Sequence, residues 1–250
     1  MISYNSLGKH GRLGNQMFQY AALKGIAKNR GFDYTIPFSS GMDKWNDHQL
    51  FEAFTMYNCF VGNGKGPMIS ERFFHFDKDL FNNCPDDADL HGYFQSHKYF
   101  NHVRDELIED FTFKNKYNVP NHSYVAVHVR RGDYVNQPDF HPTCSLDYYR
   151  EAMSKFDHNT NFVVLSDDIE WCKQQKLFNN CSFSENINNI EDLYLMTQAS
   201  HNIIANSSFS WWGAYLNNNN GIVICPKNWF GVNYSNYNMD DLRPAEWIQL

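Results

Sequence analysis

The densest group of chemically capable residues is His128-Val129-Arg130-Arg131-Gly132-Asp133-Tyr134, where two arginines leave an apolar run and enter a polar loop. A guanidinium offers paired N–H donors to phosphate oxygens and stays charged at every working pH, so this pair suits a pyrophosphate. The same text also fits a solvated surface loop with an Arg-Asp pair. A second group, Asn206-Ser207-Ser208-Phe209-Ser210-Trp211-Trp212-Gly213-Ala214, opens a predicted helix. Hydroxyls and free N–H groups at a helix start suit a phosphate, and the aromatics could wall a sugar or a base. An N-capped helix with buried tryptophans is the plainer account. Ser166-Asp167-Asp168 closes another apolar run, with carboxylates that could take a metal, a ribose or the cap of the next helix. Gly11-Arg12-Leu13-Gly14-Asn15-Gln16 lies between a predicted strand and a predicted helix, where glycines let backbone N–H groups approach a ligand. It matches neither the full dinucleotide fingerprint nor a P-loop.

Strands and helices have to hold these groups in place, and the second half of the chain shows how. Apolar runs at 124–129, 162–165, 181–183, 203–205 and 221–225 alternate with helix-length segments at 146–156, 169–178, 190–200 and through Trp211 to 216. That alternation predicts a parallel, doubly wound α/β sheet, in which ligands sit at the carboxyl ends of the strands. The first half reads as a strand at 2–7, a helix at 16–30, a strand at 34–36 and a helix at 100–113. Residues 41–89 are aromatic, Asn-rich and without a legible period. The segment from Lys114 to His122, carrying Pro120, is the expected linker between an N-terminal lobe over 1–115 and a C-terminal lobe over 122–250.

Bulk composition narrows the function classes. A formal net charge of −7 argues against a nucleic-acid binder, which needs clustered Lys and Arg, but leaves room for a nucleotide held by one or two arginines. No apolar stretch approaches the roughly 20 residues of a membrane span, and the N-terminus carries no basic and apolar leader. Cys59, Cys84, Cys144, Cys172, Cys181 and Cys225 show no metal-binding spacing, so no metal site and no disulfide framework is expected. These features together predict a cytoplasmic protein.

Taken in order, the blocks Gly11 to Ala21, Gly92-Tyr93-Phe94-Gln95-Ser96, His128 to Tyr134, Ser166-Asp167-Asp168, Glu191 to Met196 and Asn206 to Ala214 closely resemble the α-1,2-fucosyltransferase family, glycosyltransferase family 11. Only 33–89 is poorly covered. The resemblance implies a GT-B-like architecture of two facing Rossmann-like lobes, the N-terminal one less regular, with the donor held mainly by the C-terminal one. It implies GDP-β-L-fucose as donor, a galactose-terminated glycan as acceptor, inversion at the anomeric carbon and no metal or other cofactor. By this likeness Arg130 grips the diphosphate with Arg131 in support, His128 lines the nucleotide pocket, and Asp192 faces the guanine or ribose. Ser207 and Ser208 meet the phosphates beside Asn206 and Phe209, Asp167 belongs to the same donor site, and Gly11, Gly14, Asn15 and Gln16 close it from the other lobe.

An inverting displacement also wants a base near the acceptor hydroxyl. Asp133 is the first candidate, with Asp139 and His141 in reserve; Asp133 equally fits a partner that orients Arg130 or Arg131. The Asp-x-Asp pairs at 77/79 and 87/89 lie in irregular text and are discounted as metal ligands. Two other readings stay open: a transferase of the same fold with another GDP-sugar or linkage, and a non-catalytic glycan- or nucleotide-binding module. Arg131-Gly132-Asp133 also spells an adhesion tripeptide, a reading that predicts secretion.

Overall fold

Both halves of the chain build an all-parallel sheet, in a computed structural model that describes residues 1–39, 47–57, 59–185 and 188–250. The first unit comprises Met1–Asn115 and Tyr237–Pro244; the second comprises Lys116–Asn236 and Ala245–Leu250. Of the stretch 41–89, residues 41–46 and 58 lie outside the described residues.

In the first unit β1 (Ile2–Ser3), α1 (Leu13–Arg30), β2 (Tyr34–Ile36), α2 (Leu50–Ala53), β3 (Phe60–Val61), β4 (Met68–Ser70), α3 (Lys78–Asn83), β5 (Asp89–His91) and α4 (Arg104–Asp110) follow one another. The sheet order is β3-β2-β1-β5-β4. Helix α1 is buried on nearly every side, with Leu13, Met17, Phe18, Ala21, Ala22, Leu23 and Ile26 joined by the polar Gln16, Gln19 and Lys24, as suits a helix enclosed by its unit. It ends at Gly31, whose left-handed φ of 70° lets its N–H cap the carbonyls of Ala27 and Lys28. The helix expected over 100–113 is shorter than its pattern. Two 3-10 turns, His97–Tyr99 and Asn101–Val103, precede α4. There the chain presses onto α1, and a Cβ on Gly25 would lie 1.9 Å from the Tyr99 carbonyl oxygen.

Lys24 of α1 is buried with its ammonium on the Asp110 carboxylate, which also accepts a 2.7 Å hydrogen bond from Tyr20. The return segment Tyr237–Pro244 is fastened within the same unit. Phe76 donates its backbone N–H to Asp241 at 3.1 Å, Lys98 pairs with Asp241, and Tyr237 stacks on Phe74.

The second unit holds β6 (Val125–Val129), α5 (Leu146–Met153), β7 (Phe162–Ser166), α6 (Ile169–Lys173), β8 (Ser182–Phe183), α7 (Asn189–Gln198), β9 (His201–Ile203), α8 (Ser208–Tyr215), β10 (Val223–Cys225) and β11 (Ile248–Gln249). The sheet order is β11-β10-β9-β6-β7-β8. Strand β6 is buried along its whole length, because helices cover both faces of a central parallel strand. Val125, Val127, Val129, Tyr149, Val164, Phe178, Ile203 and Ile224 form the core around it. From β6 the order runs outward to β7 and β8 on one side and to β9, β10 and β11 on the other. The carboxyl ends of β6 and β9 therefore flank the switch point, where such sheets leave a crevice. Among the described residues no helix is long and apolar enough to cross a membrane.

Removing one member of a buried ion pair strands the other, at a cost of about 3–5 kcal/mol. Lys24→Met is expected to destabilise the protein on that scale in urea unfolding. The double substitution Lys24→Met/Asp110→Leu is expected to recover most of the loss.

Candidate active site

The end of β6 carries the arginines, and neighbouring strand ends supply what fixes them. Arg130 is only 16% exposed; its Nη1 pairs with Asp167 Oδ2 at 2.7 Å and its Nη2 with Asp133. Its Nε is buried without a partner, one donor left open by the two carboxylates. Asp167 Oδ1 also accepts the Arg131 backbone N–H at 2.9 Å. A Cβ on Gly132 would lie 2.3 Å from Asp167 Oδ2, so this loop closes over the carboxylate only because residue 132 has no side chain. Arg131 turns the other way. Its Nε meets Asp168 at 3.0 Å and its guanidinium lies 3.7 Å from the centre of the Trp171 ring, a cation–π contact that anchors it to α6. Asp168 caps α6 by accepting the Trp171 N–H. The neighbouring aspartates therefore divide: Asp167 holds the Arg130 side chain and the Arg131 backbone, while Asp168 serves a helix end and the Arg131 side chain.

His128 points its ring toward Phe209, with centroids 5.4 Å apart, across the switch point from β6 to the start of α8. Its Nδ1 is buried without a partner. Burial, reinforced by the Arg130 charge, pulls the imidazole down to about 3, so the ring is neutral in ordinary buffers. Ser207 caps α8 with no side-chain bond, and Ser208 and Phe209 are half-buried in its first turn. First-turn N–H groups are the open donors of any helix, and here they sit beside the β6 end. On the far side, Asp192 in the first turn of α7 accepts a 2.5 Å hydrogen bond from Ser184, just beyond β8.

The second unit thus brings His128, Arg130, Arg131, Asp133, Asp167, Asp192, Ser207, Ser208 and Phe209 to the carboxyl edge of one sheet. Two residues expected at the donor are engaged structurally instead. Asn206 is buried and its amide donates to the carbonyls of Pro142 and Trp229 at 2.8 and 2.9 Å, tying the loops after β6 and β10 to the end of β9. Gln16 is buried too, donating to the Gly11 carbonyl and accepting the Gln49 N–H. Each has an amide whose two ends are already matched, which leaves little for a ligand. Asp133, the first candidate for the base, is ion-paired through Oδ1 with Arg130, so that oxygen already serves a cation.

Gly11, Gly14 and Asn15 belong to the first unit. Gly11 has a left-handed φ of 85°, Gly14 falls inside α1, and Asn15 accepts a 2.7 Å hydrogen bond from Gln95. That contact leads to a residue the sequence does not single out. Glu71, just past β4, receives the backbone N–H groups of Tyr93 and Phe94 at 2.8 and 2.9 Å. Burial pushes its carboxyl up to about 7 against those two hydrogen bonds. Phe94 is held at a φ of 52°, unfavourable for a side-chain-bearing residue, and Glu71 is part of what holds it. Tyr134, the last residue of the arginine block, and His141, the reserve candidate for the base, stack at 4.9 Å in the loop after β6. The sequence places both residues in one loop but gives no sign that their rings stack.

Among the described residues no three His, Cys, Asp or Glu side chains converge as metal ligands. Asp77 and Asp79 both bind Arg72, and Asp89 accepts from Ser3 and the Asn5 N–H.

The sequence profile described as Glycosyl transferase family 11 matches residues 69–250. An α-1,2-colitosyltransferase of Escherichia coli is 34% identical, across 96% of this chain and 96% of the relative. The chain belongs to glycosyltransferase family 11. Another family relative, the E. coli O-antigen biosynthesis glycosyltransferase WbnK, is 29% identical over 96% of this chain and 98% of its own length. The fold of this family 11 chain is that of the fucosyltransferase NodZ from Bradyrhizobium, with a TM-score of 0.57 at 12% identity, covering 85% of this chain and 91% of that one. Two α/β units with parallel sheets, matched in this way, make the fold GT-B-like.

A histidine with a depressed folded-state pKa takes up its proton preferentially when unfolded, so it withdraws stability as pH falls from 6.5 toward about 3. In an NMR titration the His128 ring is expected to remain neutral at about pH 5. His128→Phe is expected to soften the acid lability across that window. Protonation of His128 midway between pH 6 and 7 would contradict the burial argument.

Proposed function

We propose that this family 11 chain moves L-fucose from GDP-β-L-fucose to the 2-hydroxyl of a galactose on a glycan, with inversion at the anomeric carbon. The observation that carries the reading is the pinned Arg130 guanidinium with its buried, unpartnered Nε–H at the switch point of the second sheet. A buried donor without an acceptor is costly unless a ligand completes it, and a phosphate oxygen is the acceptor an arginine fits best.

In this reading the diphosphate lies against Arg130, the Ser207 hydroxyl and the open N–H groups of Ser208 and Phe209 in the first turn of α8. His128, neutral and buried, lines the nucleotide pocket beside Phe209, and Asp192 meets the guanine or ribose. Arg131, clamped on Trp171, backs the loop and adds its field. As the bond from the sugar to the diphosphate breaks, negative charge grows on the departing GDP, and fixed donors stabilise that charge without having to reorganise. Asp133 and Asp167 act on Arg130, holding its plane and angle. The six cysteines are free thiols, which fits a reducing cytoplasm.

A second reading has its own support. The 34% identical relative is named for colitose, a sugar that differs from fucose by the absent 3-hydroxyl. GDP-colitose is therefore the competing donor, and head-to-head kinetics with a galactoside acceptor separate the two.

Arg130→Ala is expected to lower transfer by about 100-fold or more, the usual effect of losing one charge-stabilising donor. Assays that follow GDP release and product linkage check this. Asp133→Asn is expected to weaken GDP binding along with transfer, as an orienting partner would; loss of transfer with binding intact would restore it as the base. Activity is expected to survive EDTA.

A further inference from the structure

Fucosyl transfer needs a group to receive the acceptor proton, and Asp133 is already bound to Arg130. We propose that His141 is the general base, taking the proton of the acceptor hydroxyl; this rests on the transferase reading above.

The loop after β6 folds back so that one phenol ring serves two neighbours. Arg130 Cζ lies 5.0 Å from the centre of Tyr134, and the His141 ring stacks on the same residue at 4.9 Å and 20°. The imidazole is thereby held one ring away from the guanidinium assigned to the leaving diphosphate. Its other walls come from the loop after β10: Phe230 at 5.6 Å and Tyr234 at 5.9 Å. Backbone hydrogen bonds zip the two loops together, Gly231 N–H to Phe140 O at 3.0 Å and Asn233 N–H to Asp139 O at 2.9 Å. A Cβ on Gly231 would lie 2.4 Å from the Asp139 carbonyl oxygen, so the zipper depends on that glycine. Tyr134 is fixed in turn by its hydroxyl, which donates to the Asn206 carbonyl at 3.2 Å.

This box positions the ring while leaving its nitrogens for something else. His141 Nδ1 is buried without a partner, although histidines in cores are normally hydrogen-bonded. A polar atom left open in an aromatic cage is what a sugar hydroxyl would complete, and aromatic walls suit the apolar face of a sugar.

Charge favours the same role. The groups facing His141 are Arg130, Asp133 and Tyr134 from its own loop and Tyr234 from the loop after β10. Burial holds the imidazole below its ordinary pKa, with Arg130 acting in the same direction and Asp133 opposing. The ring is neutral near pH 7, with a lone pair available. Once protonated it finds the Asp133 carboxylate nearby, so Asp133 stabilises the imidazolium without itself taking the proton.

The step balances. The acceptor O–H gives its proton to a His141 nitrogen, and its oxygen forms the new bond to the anomeric carbon. The bond from that carbon to the diphosphate breaks, with its electron pair leaving on GDP beside Arg130. The imidazolium then loses its proton to solvent.

The test compares the native protein with His141→Asn and His141→Phe, the second keeping a flat ring in the box. We expect GDP affinity, by calorimetry, to stay within about threefold while kcat falls about 100-fold or more, the scale of general-base catalysis. The acidic limb of native kcat/KM, with a midpoint below that of a free histidine, should vanish in both variants. Transfer within about fivefold of native, or an unchanged acidic limb, overturns the proposal. So does a native profile with no acidic limb, which needs no variant to fold. A native protein that binds GDP but transfers neither fucose nor colitose overturns the transferase reading itself, and the assignment of His141 with it.

Discussion

The ion pair between Arg130 and Asp167 joins the ends of two adjacent parallel strands, and much of the site is arranged around it. Val129 on β6 is paired in register with Ser166 on β7, one residue before each partner. Strand register therefore sets where the guanidinium stands. A slip of one residue would carry Arg130 to the other face of the sheet, and a buried strand with apolar residues on both sides resists such a slip. The rigidity of β6, enclosed along its length, is what gives a surface cation a fixed address.

That arrangement has an electrostatic cost. Carboxylates outnumber guanidiniums at the β6 edge, with Asp133, Asp167 and Asp168 around Arg130 and Arg131. A diphosphate meets a weaker positive field there than bare arginines would provide. The return is preorganisation: a long side chain freed from rotamer search, presented at one angle with one donor unfilled. His128 contributes by being neutral. An imidazolium next to Arg130 would repel it in a dry pocket, and burial prevents that.

Polar residues near the site divide between reaching outward and holding loops. Asn206 and Gln16 lie within motifs that look like ligand contacts, yet their amides staple backbone to backbone. Glu71 does the same for the turn carrying Tyr93 and Phe94. Loops at strand ends have few helix or sheet partners, so their backbone groups must be satisfied by side chains such as these.

The sequence by itself determined the family, the order of elements from β6 to β10 in the second unit and the strand ends that bear Arg130, Asp167 and Ser207. Those features follow from local pattern: apolar runs of strand length, helix-length spacers and polar residues at the joins. The strand at 34–36 was legible because it is buried throughout, whereas β3, β4 and β11 are largely exposed and leave no apolar run of strand length in the sequence. Which of the neighbouring aspartates serves Arg130, which amides are engaged by backbone, and how His141 comes to lie on Tyr134 were decided only by tertiary structure. Each depends on the approach of residues far apart in the chain or on a turn closing at a particular angle. Residue type and spacing do not encode that closure; packing does.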